Sequence, residues 1–253
     1  MASHYESFPS GQEWTADGVK VIDWAMVPER DPDASDGDGS HGRGTVGTYQ
    51  ETLGTLVHEF AHILGLPDLY DPDQASYGLG HYDLMSFGLY GMKTHDDLFT
   101  AANSSWKYPG LPSAWSRTYL GWAEPIALHA DTAFQIWRAQ DPEPVDYPQV
   151  VKIWSSSSWN TMTPWNPSEY FLIEHRQNGG TGTYDGGFNY DNEGAVLLFH
   201  VDENVIFPGG DLANYPNDDP SHKGVDLEEA DSNTDLDDQA NFGDFPDFPV
   251  TGI

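Results

Sequence analysis

Apolar positions recur at helical spacing in one clear stretch of this chain. Leu53, Val57, Phe60 and Leu64 stand three or four apart, which predicts an amphipathic helix near residues 48–65 with that stripe turned to a core. Thr48 and Glu51 form a T-x-x-E capping box at its start, and Gly65 can close it in a left-handed conformation. Upstream, Val19-Lys20-Val21-Ile22-Asp23-Trp24 predicts a strand. Residues 31–44 are rich in Asp, Gly and Ser and read as a loop, as do 66–82 and the polar stretch 92–111. Residues 113–119 read as a short helix capped by Ser113. After Gly121-Trp122 the period changes. Short alternating runs at 133–137, 150–154, 170–174 and 195–200 predict an antiparallel β module. From Asp211 onward the chain is acidic and poor in apolar residues, so it reads as loop that an ion would help to order. The expected class is α+β: residues 1–126 around the helix, then a β-rich module at 127–253 with an acidic C-terminal segment.

The predicted helix carries the chemistry. His58 and His62 stand four residues apart, which separates them by about 40° of rotation and roughly 6 Å of rise. Both imidazoles can close on one ion. Glu59 lies one helical step off, where it can reach a water at that ion rather than the ion itself. Beyond Gly65 the chain can turn back and bring in Asp68, with Asp71 and Asp83 as other candidates for a third ligand. Two histidines and a carboxylate leave a position open, as catalytic zinc sites do. The bland alternative is a core helix that happens to carry two histidines. The capping box, the apolar stripe and the offsets of Gly65 and Asp68 all argue against it.

Composition narrows the function. With 41 acidic and 10 basic residues the formal net charge is −31, which excludes binding to nucleic acid phosphates and adsorption to anionic membranes. Such a surface suits solvation in a salty or extracellular medium. Acidic clusters holding calcium are compatible with it. Asp231, Asn233 and Asp235 alternate as calcium ligands do, although Leu236 stands where an EF-hand needs glycine. Asp33, Asp36 and Asp38 also miss the EF-hand spacing. The chain has no cysteine, so disulfides and thiolate metal sites are excluded. No apolar run is long enough to span a membrane. The first residues lack a charged n-region and an apolar h-region, so the expectation is a fragment of a longer secreted chain.

The HExxHxxGxxD pattern followed by Tyr82-Asp83-Leu84-Met85-Ser86 resembles a metzincin with its Met-turn. Residues 58–71 (HEFAHILGLPDLYD) resemble the immune inhibitor A-type secreted metallopeptidases. So do 112–116 with Leu120-Gly121-Trp122, 169–177, 198–203, 225–231 and Gly243-Asp244, in the family's order from about Gly44 to Pro249. The resemblance implies a secreted zinc endopeptidase with broad specificity on protein or peptide substrates. His58, His62 and Asp68 would hold zinc, and Glu59 would be general base toward a zinc-activated water. Met85 would form a floor beneath the metal, its other reading being an ordinary core methionine. Tyr90 is either an oxyanion or substrate contact or a core aromatic; His81 is a loop histidine, a substrate contact or a competing ligand. His200, Asp202 and Glu203 look metal-like but fall in the β module, where they are expected to stabilise the fold with calcium. The family's catalytic domain is longer before the zinc helix, where this chain has 57 residues, so the upper half of the cleft is expected to be incomplete. The competing function is a non-catalytic, zinc- or calcium-stabilised binding segment of a larger surface protein.

Overall fold

Two hairpins, three short helices and one larger sheet make up the described part of the chain, an α+β arrangement with few helices and several sheets. The computed structural model describes residues 4–16, 19–26, 53–90, 109–128, 133–141, 147–154, 168–177, 185, 194–229 and 234–239. Strand β1 (His4–Ser7), β2 (Trp14–Ala16), β3 (Val19–Val21) and β4 (Asp23–Met26) pair as β1 with β4 and β2 with β3, both antiparallel. The single strand expected over 19–24 is therefore broken at Ile22. One run serves two partners, and the Ile22 carbonyl accepts the Phe8 N–H at 2.8 Å.

Helix α1 (Leu53–Ile63) exists as expected, but it buries another face. Gly54, Thr55, His58, Glu59 and Ala61 are buried, whereas Leu53, Phe60 and Leu64 are 52%, 53% and 40% exposed. The reason is close approach. A Cβ on Gly54 would lie 1.7 Å from the Leu89 carbonyl oxygen, so the helix meets that turn through a small residue, and the larger apolar side chains rotate outward. The proposed capping box at Thr48 and Glu51 lies outside the described residues.

The turns at Gly80–Tyr82 and Phe87–Tyr90 follow, then α2 (Ala114–Tyr119), capped as expected by the Ser113 side chain, which accepts from the Ser116 N–H at 3.3 Å. The larger sheet has the order β5 (Ile126–Leu128), β6 (Val150–Ile153), β7 (Glu169–Arg176), β8 (Ala195–Asp202) and β9 (Val225–Leu227), with α3 (Glu203–Ile206) after β8. It is mixed rather than antiparallel throughout, because β5 and β6 run parallel. The run 133–137 forms no strand; it is tied by the Trp137 N–H to Pro148 O bond, and Ala139 N–H binds His175 O, each at 2.8 Å. Strand β9 lies in the stretch read as loop. Three residues are too few to show a period, and Val225 is held by its N–H on the Asn217 side chain at 3.0 Å.

Alternation decides what the sheet buries. Tyr170, Leu172, Glu174 and Arg176 of β7 oppose Val201, Phe199, Leu197 and Ala195 of β8, and all eight are buried. That face shares one apolar core with Leu69, Leu79, Met85 and Trp115, so residues on both sides of position 126 pack together. Two charges on β7 are buried with it. Glu174 receives Arg117 at 2.5 Å and Arg176 at 2.7 Å, and Arg176 also faces Asp185 at 3.6 Å. No helix among the described residues is long and apolar enough to cross a membrane.

Candidate metal centre

The side chains of His58, His62 and Asp68 converge because of how α1 ends. Gly65 takes φ +101°. Its N–H bonds the His62 carbonyl at 2.9 Å, and the Leu66 N–H bonds Ala61 O at 3.1 Å. These are the two bonds of a Schellman motif, which reverses the chain just after the helix. Leu66 O then returns to the His62 ring, 2.8 Å from Nδ1. Leu84 O stands 2.9 Å from Nδ1 of His58. A carbonyl oxygen only accepts, so in each ring Nδ1 carries a proton, and when the ring is neutral Nε2 presents a lone pair.

Both lone pairs point at the same atom. Nε2 of His58 lies 3.2 Å and Nε2 of His62 3.3 Å from Oδ1 of Asp68. That oxygen is buried and has no hydrogen-bond partner. Three acceptors facing one another repel unless a cation, or a proton added to an imidazole, lies among them. The spacing fits a metal: donors about 2.05 Å from a shared tetrahedral zinc lie about 3.3 Å apart. The donor set, two neutral imidazoles and one carboxylate, suits zinc as well, and each histidine already has the outer hydrogen bond that metal-ligating imidazoles make.

The electrostatics agree in sign. Burial alone would raise the Asp68 carboxyl, but interaction with the His58 and His62 rings, once these are protonated, pulls it down to about 2. For His62, burial opposes a charge and the Asp68 carboxylate outweighs it, so this imidazole takes up a proton more readily than usual. Protons and a cation thus compete for one place. Burial and the nearby negative charge of Asp68 push the Tyr70 hydroxyl well above the ordinary tyrosine value.

The other candidates separate clearly. Asp71 spends its oxygens on the N–H groups of Asp73 at 3.1 Å and Ser76 at 2.8 Å; its carboxylate groups with Asp73 and Asp218 instead. Asp83 is likewise fully engaged. Glu59 is buried and lines a cavity of about 590 Å³ together with His58, His62 and Asp68. Met85 is fully buried, and its carbonyl accepts the Leu69 N–H, next to Asp68, at 2.8 Å. His81 does not line the cavity. It is buried in the 80–82 turn, and burial pushes its imidazole down to about 3. Tyr90 is also outside the lining and packs its ring 6.3 Å from Phe87.

In the β module the metal-like trio scatters. His200 pairs with Glu169 at 3.1 Å, Asp202 accepts from His222 at 3.0 Å and Asn204 N–H at 2.8 Å, and Glu203 accepts from the Tyr170 hydroxyl at 2.5 Å. Asp231 and Asn233 lie outside the described residues. Close to Asp235 in sequence, the neighbouring carboxylate of Asp237 is met by the Lys223 ammonium, which also holds Asp226 at 2.6 Å. Asp235 joins no candidate metal group among the described residues.

Sequence reasoning missed the rest of the wall. Glu6 and Ser7 from β1, Tyr70, and residues 212–215 line the same cavity. Tyr215 is partly exposed there, with its ring 6.3 Å from that of Tyr70. Tyr70 stands two positions after Asp68, a local hint. Tyr215 had no signal, because its part in the cavity is made by the fold alone. Protein-family models, curated proteins and solved structures were compared with this chain, and none matches.

Proposed function

We propose that this chain is a secreted zinc-dependent endopeptidase of metzincin-like design, hydrolysing peptide bonds in protein or peptide substrates. One observation carries the reading: the Nε2 atoms of His58 and His62 meet a buried carboxylate oxygen that lacks any hydrogen-bond partner, at 3.2 and 3.3 Å. Zinc held there would polarise the scissile carbonyl and lower the pKa of the attacking water. Glu59, one residue from His58 and lining the same cavity, would take a proton from that water. The water oxygen would bond the carbonyl carbon as the C–N bond breaks, and Glu59 would return the proton to the leaving amine. Ser7 and Asn214 are among the residues lining the cavity and give it polar groups where a peptide backbone can bond.

The purified protein should hold one zinc per chain and cleave an unfolded protein. A chelator should stop cleavage and added zinc restore it. Glu59→Gln should keep the metal and lose roughly 10²- to 10⁴-fold in turnover. Full activity in Glu59→Gln, or no zinc in the wild type, refutes the proposal. Peptide binding without turnover in the zinc-loaded protein would favour the non-catalytic binding segment instead.

A further inference from the structure

Asp83 is completely buried, and no lysine or arginine pairs with it among the described residues. Its charge is met by neutral donors alone. Oδ1 accepts the Met85 N–H at 2.5 Å; Oδ2 accepts the Ser113 N–H and the Ser116 hydroxyl, each at 2.7 Å. Its own carbonyl accepts from Ser86 at 3.0 Å and Gly88 at 3.1 Å. Residue 84 is thus clamped from both sides, and its carbonyl is the one that holds Nδ1 of His58 at 2.9 Å.

The donors are themselves anchored in the sheet. Arg117, the residue after Ser116, reaches Glu174 of β7 at 2.5 Å. Arg176 of β7 reaches the Pro112 carbonyl at 3.4 Å, and Asp185 accepts the Leu111 N–H at 2.8 Å. Buried charges therefore fix both flanks of the segment that binds Asp83.

From this chain of contacts we infer that Asp83 is a positioning residue for the metal site, linking the five-stranded sheet to the ring of His58 through the Leu84 carbonyl. The inference rests on the zinc reading above. It explains why an acid is used: an amide keeps one acceptor for Met85 but turns an NH₂ toward two donors, Ser113 N–H and Ser116 O–H. The Leu84 carbonyl then loses its fixed direction, and the His58 ring loses the bond that sets its tautomer and tilt.

The test measures zinc affinity by competition with a chromophoric chelator, and the visible absorption of the cobalt-loaded protein. Wild type, Asp83→Asn and Ser116→Ala are compared, with circular dichroism as the check on folding. Asp83→Asn should weaken zinc by roughly 10- to 100-fold and alter the cobalt bands. Ser116→Ala removes one of three bonds and should give a smaller change of the same sign. This second variant decides the matter where Asp83→Asn does not fold. Wild-type affinity and an unchanged cobalt spectrum in folded Asp83→Asn, or in Ser116→Ala, overturn the inference alone. A wild-type protein that binds neither metal overturns it together with the zinc reading.

Discussion

Replacing Gly54 by alanine sets helix propensity against packing. Within a helix, alanine is favoured over glycine by about 1 kcal/mol, so propensity alone predicts a more stable protein. The new Cβ, however, would stand 1.7 Å from the Leu89 carbonyl oxygen and 2.8 Å from its carbon. To reach even a 3.0 Å contact the oxygen must retreat by about 1.3 Å, and overpacking of this kind costs about 1–3 kcal/mol. The obstacle is backbone, not a side chain that can swing away. Its turn is held further by the Gly110 N–H on Gly88 O at 2.7 Å. Packing should win, with a net loss of up to about 2 kcal/mol. Residues 54 and 58 share one helix face, so the bond from His58 to Leu84 O should suffer too and zinc affinity should fall. Urea unfolding in chelator-treated buffer reads the first effect as a lower midpoint at unchanged slope. An unchanged or raised midpoint would show that α1 does not rest on Leu89, and the account of its buried face would fail.

Glu174→Gln leaves two buried guanidiniums without their shared carboxylate; the expected loss is about 3–5 kcal/mol, and a loss below about 1 kcal/mol in chemical denaturation would contradict the ion network. Met85 is fully enclosed, so Met85→Ala should cost about 2–5 kcal/mol and Met85→Leu under about 1.5 kcal/mol; equal losses would argue against a packed site. Glu229 has its carboxyl raised from an ordinary 4.5 to about 7, chiefly by burial and further by Asp237, against the Leu236 N–H and Lys223. The folded state therefore favours the neutral acid. That stabilisation is complete below pH 4.5 and is lost as pH rises through about 7. Melting temperatures of wild type and Glu229→Gln should diverge over this window, the variant being the more stable at high pH, and parallel curves would refute the shift.

Local sequence was enough to locate α1, the Ser113 cap, the strands over 150–153, 169–176 and 195–202, and the spacing of His58, Glu59, His62 and Asp68. These follow from periods of 3.6 and 2, from capping chemistry and from a glycine that can take positive φ. All act over a few residues. Which face of α1 is buried was decided elsewhere, by the Leu89 carbonyl against Gly54. Which of Asp68, Asp71 and Asp83 faces the two imidazoles was also decided by the fold, and Asp68 is the one with an oxygen that has no hydrogen-bond partner. Tyr215 and the β1 residues reach the cavity only through contacts between distant parts of the chain. Short-range pattern thus determined the spacing of the candidate ligands and the elements that carry it. Only the tertiary structure oriented those ligands, since the directions of the two imidazoles depend on carbonyls at 66 and 84, and the second of these is set by a carboxylate bonded to α2.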